Sequence, residues 1–375
     1  MTFSKNAPEI TQTITLRHTG PAGTSTDIDL TDITEGTIRR RLNAAAELEL
    51  RHSNPDGRYS GYFEVMDQLR VAVDVYETPW IFSGFIPPRG VNLSGSGRNR
   101  SIRVRAFDYL GYMGLDKLDL TNRGYDGWEC ASALGDIVRT TTVPTALFGN
   151  TVGIGHKGTN PQIFIDKEDD INAVYGSRKA AMDAIRELMV DTTDEDVPLA
   201  YHYFVDGDGG AASNLYKIRV IEEPILSSAY AIRTLAYNTN IIDSELVLRS
   251  DQVTRATAVS KSDSTIAATY NHTSLQTQFG LLTASFQADT KKTDELLDLA
   301  RRLVKLKRFP RYTYRVKVHQ GAHHALGDVV NVDDAKYNVS GKMMIREIEQ
   351  HWGLDSAYTV LTLSTQEELL EEILA

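Results

Sequence analysis

Cysteine is nearly absent: Cys130 is the single one in 375 residues. One thiol cannot close an intramolecular disulfide or build a cysteine-based zinc site within a chain. It sits in GWECASALGDIV, which reads as a helix start, so a buried structural thiol is expected. Long apolar runs are missing too. None approaches the roughly 20 residues that span a bilayer, and the opening MTFSKNAPEITQTITL lacks the apolar core of a secretory signal. A soluble chain made in the cytoplasm is expected, with no membrane span. Positive charge is in deficit: 40 Lys and Arg stand against 50 Asp and Glu, a formal net charge of −10. That argues against a dedicated nucleic-acid binder, which needs a basic patch. It permits an acidic surface that DNA slides past.

Signatures of catalysis are also missing. The Gly-rich stretch Gly149 to Thr159 reads as a flexible loop, because His156 parts Gly155 from Lys157 and Gly158 follows the lysine, where a phosphate loop needs Gly-Lys-Ser/Thr. Asp206 to Gly210 begins like a calcium loop, but position twelve is Lys217 rather than Glu, and a hairpin turn explains the glycines. His323 and His324 are adjacent, so on a strand they point to opposite faces and do not share a metal with Asp328 or His351. No GxSxG elbow places a nucleophile. The acid pairs Glu222/Glu223 and Asp169/Asp170 read as solvated turns, and no pair shows the apolar setting that glycoside hydrolysis requires. The basic run Arg301 to Arg311 follows DELLD, whose acids fall at helical spacing, so a solvated helix face is expected, with an acidic partner subunit as the other reading. No catalytic, cofactor-binding or metal-binding residue is assigned, and no cofactor.

What is present is β texture. At 41% apolar and 24% charged, the chain has an ordinary folding composition, and at about 150 residues per domain its length suggests two or three domains. From Ile10 to about Leu115, alternation predominates. Leu48 and Leu50 share one face, with Glu47, Glu49 and Arg51 on the other. Pro55 and Gly57 set a turn, Val71, Val73 and Val75 form an apolar stripe, and a strand ends at Phe107 before a short helix capped by Asp108. From Thr121 to Ser228 the texture is mixed. A helix is expected in GWECASALGDIV, and a second is N-capped by Ser177 with Ala181, Ile185 and Met189 on one stripe. PLAYHYFVDGDGGAASNLYKIRVIEE then reads as a hairpin. From Tyr230 to Leu363 strands return, broken by a helix with Thr293 as N-cap and Pro310 as stop. QEELLEEILA reads as a helical tail.

The order of short motifs resembles the phage tail hub (baseplate hub, tail-tip) family, related to the hub portion of type VI secretion spikes. Phe279 and Gly280 match the family's aromatic-Gly pair before a helix. Gly327, Asp328, Val330 and Val332 match its Gly-Asp strand. Gly341, Ile345, Ile348 and His351–Trp352 match the strand after it. Near the N-terminus Phe82, Ser83, Gly84 and Ile86 match, followed by Val104, Ala106, Asp108 and Leu110. The resemblance implies a mainly β protein with α+β character: two tail-tube-like β-barrel domains, at 1–120 and 230–365, a mixed α/β domain inserted at 121–229, and a short helical tail at 366–375. It implies a structural, non-enzymatic hub in the tail of a virion. Three copies would give a pseudo-hexameric ring joining a six-fold tail tube to a three-fold tip around a DNA channel. Implied partners are the chain itself as a homotrimer, the tail tube or distal tail ring, a spike or fibre protein and the tape-measure protein, with DNA only in passage. As the chain ends at Ala375, a wall-degrading activity is expected in a separate protein. A cell-wall or glycan hydrolase is the alternative.

Overall fold

The computed structural model describes residues 10–364, apart from 20–24, 32, 58, 60, 76–77, 96–99, 116–117, 120–124, 126, 140–150, 158–173, 189–200, 207–214, 223–228, 250–251, 289, 308–310, 319–323 and 355. Met189, Asp169, Asp170, Glu223, His323 and the helical tail expected near the C-terminus lie outside the described residues. Strands dominate, and the fold is mainly β.

The N-terminal half contains β1 (Ile10–Thr19), β2 (Ser25–Asp29), β3 (Ile33–Arg41), β4 (Glu47–Ser53), β5 (Gln68–Val75), β6 (Thr78–Phe85), β7 (Val91–Ser94) and β8 (Ser101–Phe107). Their period of two sends Ile14, Leu16, Ile38, Leu48, Leu50, Val71, Val73 and Val104 into one core. Gly57 takes φ 72° in the turn after β4. The chain then enters α1 (Tyr109–Met113), where Asp108 Oδ1 accepts from the backbone N–H groups of Leu110 (3.0 Å) and Gly111 (3.3 Å).

Asp108 is buried, and its Oδ2 has no hydrogen-bond partner among the described residues. Burial pushes its carboxyl up to about 7, against the opposing pull of the backbone donors. An acid whose folded pKa exceeds its unfolded value of about 3.9 binds more protons when folded, so its contribution to stability falls as pH rises from about 4 to 7. Over that window the wild-type chain is expected to lose up to about 4 kcal/mol from this group. Asp108→Asn keeps the capping oxygen and removes the titration. Denaturant melts at pH 5 and pH 8 check this: the variant's relative stability should rise with pH, and a constant difference would refute the assignment.

The middle region carries β9 (Leu118–Asp119), α2 (Cys130–Arg139), β10 (Thr151–Lys157), β11 (Val174–Tyr175), α3 (Arg178–Leu188), β12 (Tyr201–Asp206) and β13 (Leu215–Glu222). Cys130 is buried at the start of α2 as expected. The Ser177 hydroxyl accepts from the Ala180 N–H at 3.1 Å, and Ala181 and Ile185 are buried. β12 and β13 form the expected antiparallel hairpin. The Gly-rich stretch is different from its expectation as a loop. Residues 151–157 form β10, paired in parallel with β13 from Thr151↔Leu215 to Lys157↔Ile221. Backbone pairing to a buried strand outweighs the flexibility of Gly153 and Gly155 there.

The C-terminal half contains β14 (Thr234–Ala236), β15 (Ile241–Arg249), β16 (Arg255–Ser260), β17 (Ala267–Asn271), α4 (Thr273–Phe279), β18 (Thr283–Ala288), α5 (Thr293–Leu306), β19 (Arg311–Val318), β20 (Val329–Asp334), β21 (Val339–Gly353) and β22 (Ala357–Ser364). Thr293 is the first helical residue of α5, and Lys292 takes the cap position. β16, β17 and β18 form a separate three-stranded sheet. With α5 it encloses its own core of Val253, Ala256, Ala258, Ala268, Leu296, Ala300, Leu303 and Val304.

The remaining strands of the two halves belong to a single 14-stranded sheet. Its ladder runs β15-β19-β22-β21-β3-β4-β8-β6-β5-β1-β2, with β7 on β8 and with β20 joining β14 to β21. Among the described residues this ladder runs on from one half to the other and has free ends at β15 and β2.

Candidate functional site: the strand shared by both halves

β21 has 15 residues, long enough to serve two neighbours in succession. Its first part pairs with β20, from Val329↔Met344 to Asp334↔Val339. Asn338 (φ 54°) shapes the chain reversal that begins it, and Gly341 (φ 128°) lies within the strand opposite Val332. Gly327 (φ 78°) and Asp328 make the tight turn before β20, with Asp328 Oδ2 accepting the Ala325 N–H at 3.0 Å. A bulge between Ile345 and Glu347 shifts the register against β22. Past the bulge β21 pairs with β3 on its other side, from Glu347↔Arg41 to Gly353↔Glu35. The stretch from His324 to Trp352 is thus the seam between the two halves.

The two faces of β21 do different work. Ile348 and Trp352 point inward. Trp352 is only 3% exposed and joins the core of the N-terminal half, although it comes from the C-terminal half. Its indole Nε1–H donates to Gln12 Oε1 at 3.0 Å, and Gln12 Nε2 donates to the Ile33 carbonyl at 3.2 Å. Opposite it stands Gly36, where any Cβ would run into the indole ring.

The other face is polar, and it continues across neighbouring strands. One row runs Glu245, Arg315, Thr362, Glu347, Arg41. The next runs Asp243, Lys317, Val360, Glu349, Arg39, Glu47. Further along lie Tyr358, His351, Thr37, Glu49 and Arg105, then Glu35, Arg51 and Arg103. Acids and bases are equal in number on these rows, so the chain's negative excess lies elsewhere.

Glu349 is the node of that face and is buried. Oε1 accepts from Arg39 Nε at 2.7 Å, and Oε2 accepts from Arg315 Nη2 at 2.9 Å and from His351 Nε2 at 3.2 Å. His351 Nδ1 lies 3.0 Å from the Thr37 hydroxyl. The His351 hydrogen bond and the Arg39 and Arg315 guanidiniums outweigh burial and hold the Glu349 carboxyl down at about 2. A lowered acid contributes stability above its unfolded pKa of about 4.3 and loses it as pH falls toward the folded value. Arg39 and Arg315 are 39% and 48% exposed, which weakens the pairing. Glu349→Gln is expected to cost about 2 kcal/mol at pH 7 and to remove the wild-type loss between pH 4.5 and pH 2. Parallel acid titrations by circular dichroism check it, and identical acid midpoints would contradict it.

A second buried carboxylate ties β20 to β15. Asp334 Oδ2 accepts from the Tyr314 hydroxyl and from Ser244 Oγ at 2.7 Å. Burial alone would raise Asp334, but these donors hold it below the ordinary range. Burial and the Asp334 carboxylate push the Tyr314 phenol upward. The middle region docks at the same seam: the Asn43 N–H donates to the Tyr203 carbonyl at 2.8 Å, and His202 Nε2 lies 3.0 Å from Arg346 Nη1.

The sequence candidates do not converge. Asp328 lies beside Ile345, and His351 is six residues further along β21, roughly 20 Å away. Arg301 pairs with Asp298 at 3.2 Å on α5 and lies over the Tyr270 ring. Asp206 and Glu222 close β12 and β13. Among the described residues no group of His, Cys, Asp and Glu could hold a metal ion. Sequence reading missed Glu349, Arg39 and Arg315. Their only signal was alternation of charge on strands far apart in the chain.

No family model and no curated protein matches the chain. Its fold does match solved structures. A tail protein from Neisseria meningitidis MC58 is 14% identical, with 95% of this chain and 97% of that one covered at a TM-score of 0.59. The 43 kDa tail protein of prophage MuSo2 from Shewanella oneidensis is 14% identical, with 94% and 96% covered at 0.57. A chain of the Francisella PdpA-VgrG complex is 8% identical, with 96% of this chain and 59% of that one covered at 0.56. The fold is therefore of the type seen in these phage tail proteins and in the VgrG complex chain.

Proposed function

We propose that the chain is a structural hub protein of a tail, acting as three copies in a ring. The pairing of β3 with β21 carries this reading, because it makes the polar faces of the two halves one wall. On this reading residues 1–120 and 230–365 are the two tube-like domains, 121–229 is the inserted domain, and three chains place six such domains around an axis. The ring joins a six-fold tail tube to a three-fold tip, next to spike or fibre and tape-measure proteins, in the virion tail. Matched acids and bases on the wall suit a channel for DNA, because a surface with no cationic excess gives phosphates no net hold. The chain's role is structural rather than enzymatic. Native mass measurement of the chain released from particles tests this: three copies and no turnover on peptidoglycan are expected. A monomer that cleaves peptidoglycan would overturn it.

A further inference from the structure

Away from the main sheet, the small unit of β16, β17, β18 and α5 carries an apolar knob at one end. Leu281 and Leu282, between α4 and β18, are 60% and 37% exposed. The fold holds them there. Gly280 takes φ 83°, and the Thr254 hydroxyl donates to the Gly280 carbonyl at 2.9 Å. The Leu282 carbonyl accepts from the backbone N–H groups of Thr254 and Arg255 at 2.9 and 3.0 Å. Two leucines kept in water by a fixed backbone gain free energy from any cover that excludes water. The basic run ends at the same place. The Val253 N–H donates to the Lys307 carbonyl at 2.9 Å, which sets the end of α5 beside Thr254 and the knob. Residues 301–311, RRLVKLKRFPR, hold six bases and no acid, and the Arg301 side chain is 46% exposed. A cover for this end must therefore be apolar and acidic.

The same chain supplies such a segment. β22 runs antiparallel to β19 and reaches Ser364 opposite Thr313, so the chain leaves the sheet toward the start of β19 and the end of α5. Thr313 is six residues beyond Lys307, at most about 22 Å of chain. Residues 366–375, QEELLEEILA, lie outside the described residues, and their sequence holds four acids and no base. At helical spacing Leu369, Leu370, Ile373 and Leu374 share one face, with Glu367 and Glu372 at its borders. Ten helical residues extend about 15 Å, and the step from Ser364 adds about 7 Å, which together span the distance. We propose that residues 366–375 fold back on their own chain, covering Leu281 and Leu282 with the apolar face and setting the bordering acids against the basic run. The contact ties the small unit to the end of the main sheet. It needs one chain only and does not depend on the hub reading.

Thiol labelling of the full chain tests the contact. Leu281→Cys puts a thiol on the knob, and the native Cys130 is buried. With a bulky maleimide, labelling is expected to become about tenfold faster when residues 366–375 are deleted, as for a contact closed about nine parts in ten. Leu370→Asp combined with Ile373→Asp should match the deletion, and this pair decides the matter if the shortened chain does not fold. Gln287→Cys, exposed on β18 away from the knob, is the control and should label at one rate throughout. Equal rates at Leu281→Cys with and without the tail would overturn the contact and leave the hub reading intact. An equal rise at Gln287→Cys would mean general loosening and would also overturn it. Protection that is lost on dilution, or that added full chain restores to the shortened one, would place the tail on a second copy and contradict docking within the chain.

Discussion

Replacing Trp352 by Ala is expected to destabilise the chain by about 4 kcal/mol, the range seen when a buried Trp is truncated in a packed core. The side chain is almost wholly buried in the core of the half to which it does not belong. Its removal leaves a cavity facing Gly36 and unpairs Gln12 from its indole partner. The cost therefore falls on the join between halves rather than on one of them. Trp352→Phe refills most of the volume and should recover more than half of the loss. Calorimetry of the three proteins decides it. A loss below about 1 kcal/mol for the Ala variant, within the range of surface changes, would mean that the indole does not hold the seam.

Gly84→Val is the second large effect. Gly84 lies where β6 meets the end of β8, at the single Phe85↔Phe107 contact between them. A Cβ there would collide with the Phe107 carbonyl, which is backbone and cannot swing aside, and would press on the Phe82 ring. Overpacking against backbone is expected to cost about 3 kcal/mol or more. Particle assembly should fall with it, since the corner of the sheet opens. Gly327→Val should cost less, about 2 kcal/mol, because its added atom meets the flexible tip of Ile221 and the main penalty is φ 78°. Chemical denaturation and particle yield check both, and unchanged assembly by Gly84→Val would remove that corner from the fold's requirements.

Local features were legible in the sequence. Period two placed Leu48, Leu50, Tyr314 and Val316 inside. Turn chemistry identified Gly57, and capping chemistry identified Asp108 and Ser177. Long-range pairing was not legible. Nothing local to RRR at Arg39 to Arg41 names EIE at Glu347 to Glu349 as its partner some 310 residues away. β10 was hidden because glycine content signals a loop while strand pairing depends on a neighbour far along the chain. Strands were expected in this stretch, but that β16, β17 and β18 leave the main sheet and pack on α5 was hidden for the same reason. The site suffered most. Glu349 gains its character from Arg39, Arg315 and His351, brought together by three strands.

The most direct test is a three-dimensional image of the assembled tail at a resolution that separates strands. Three copies in a ring are expected at the tail end, each contributing both halves, with the face bearing Arg39, Glu347 and Glu349 turned toward the central channel. A ring with a different copy number, or one with that face turned to the outside, would contradict the central claim.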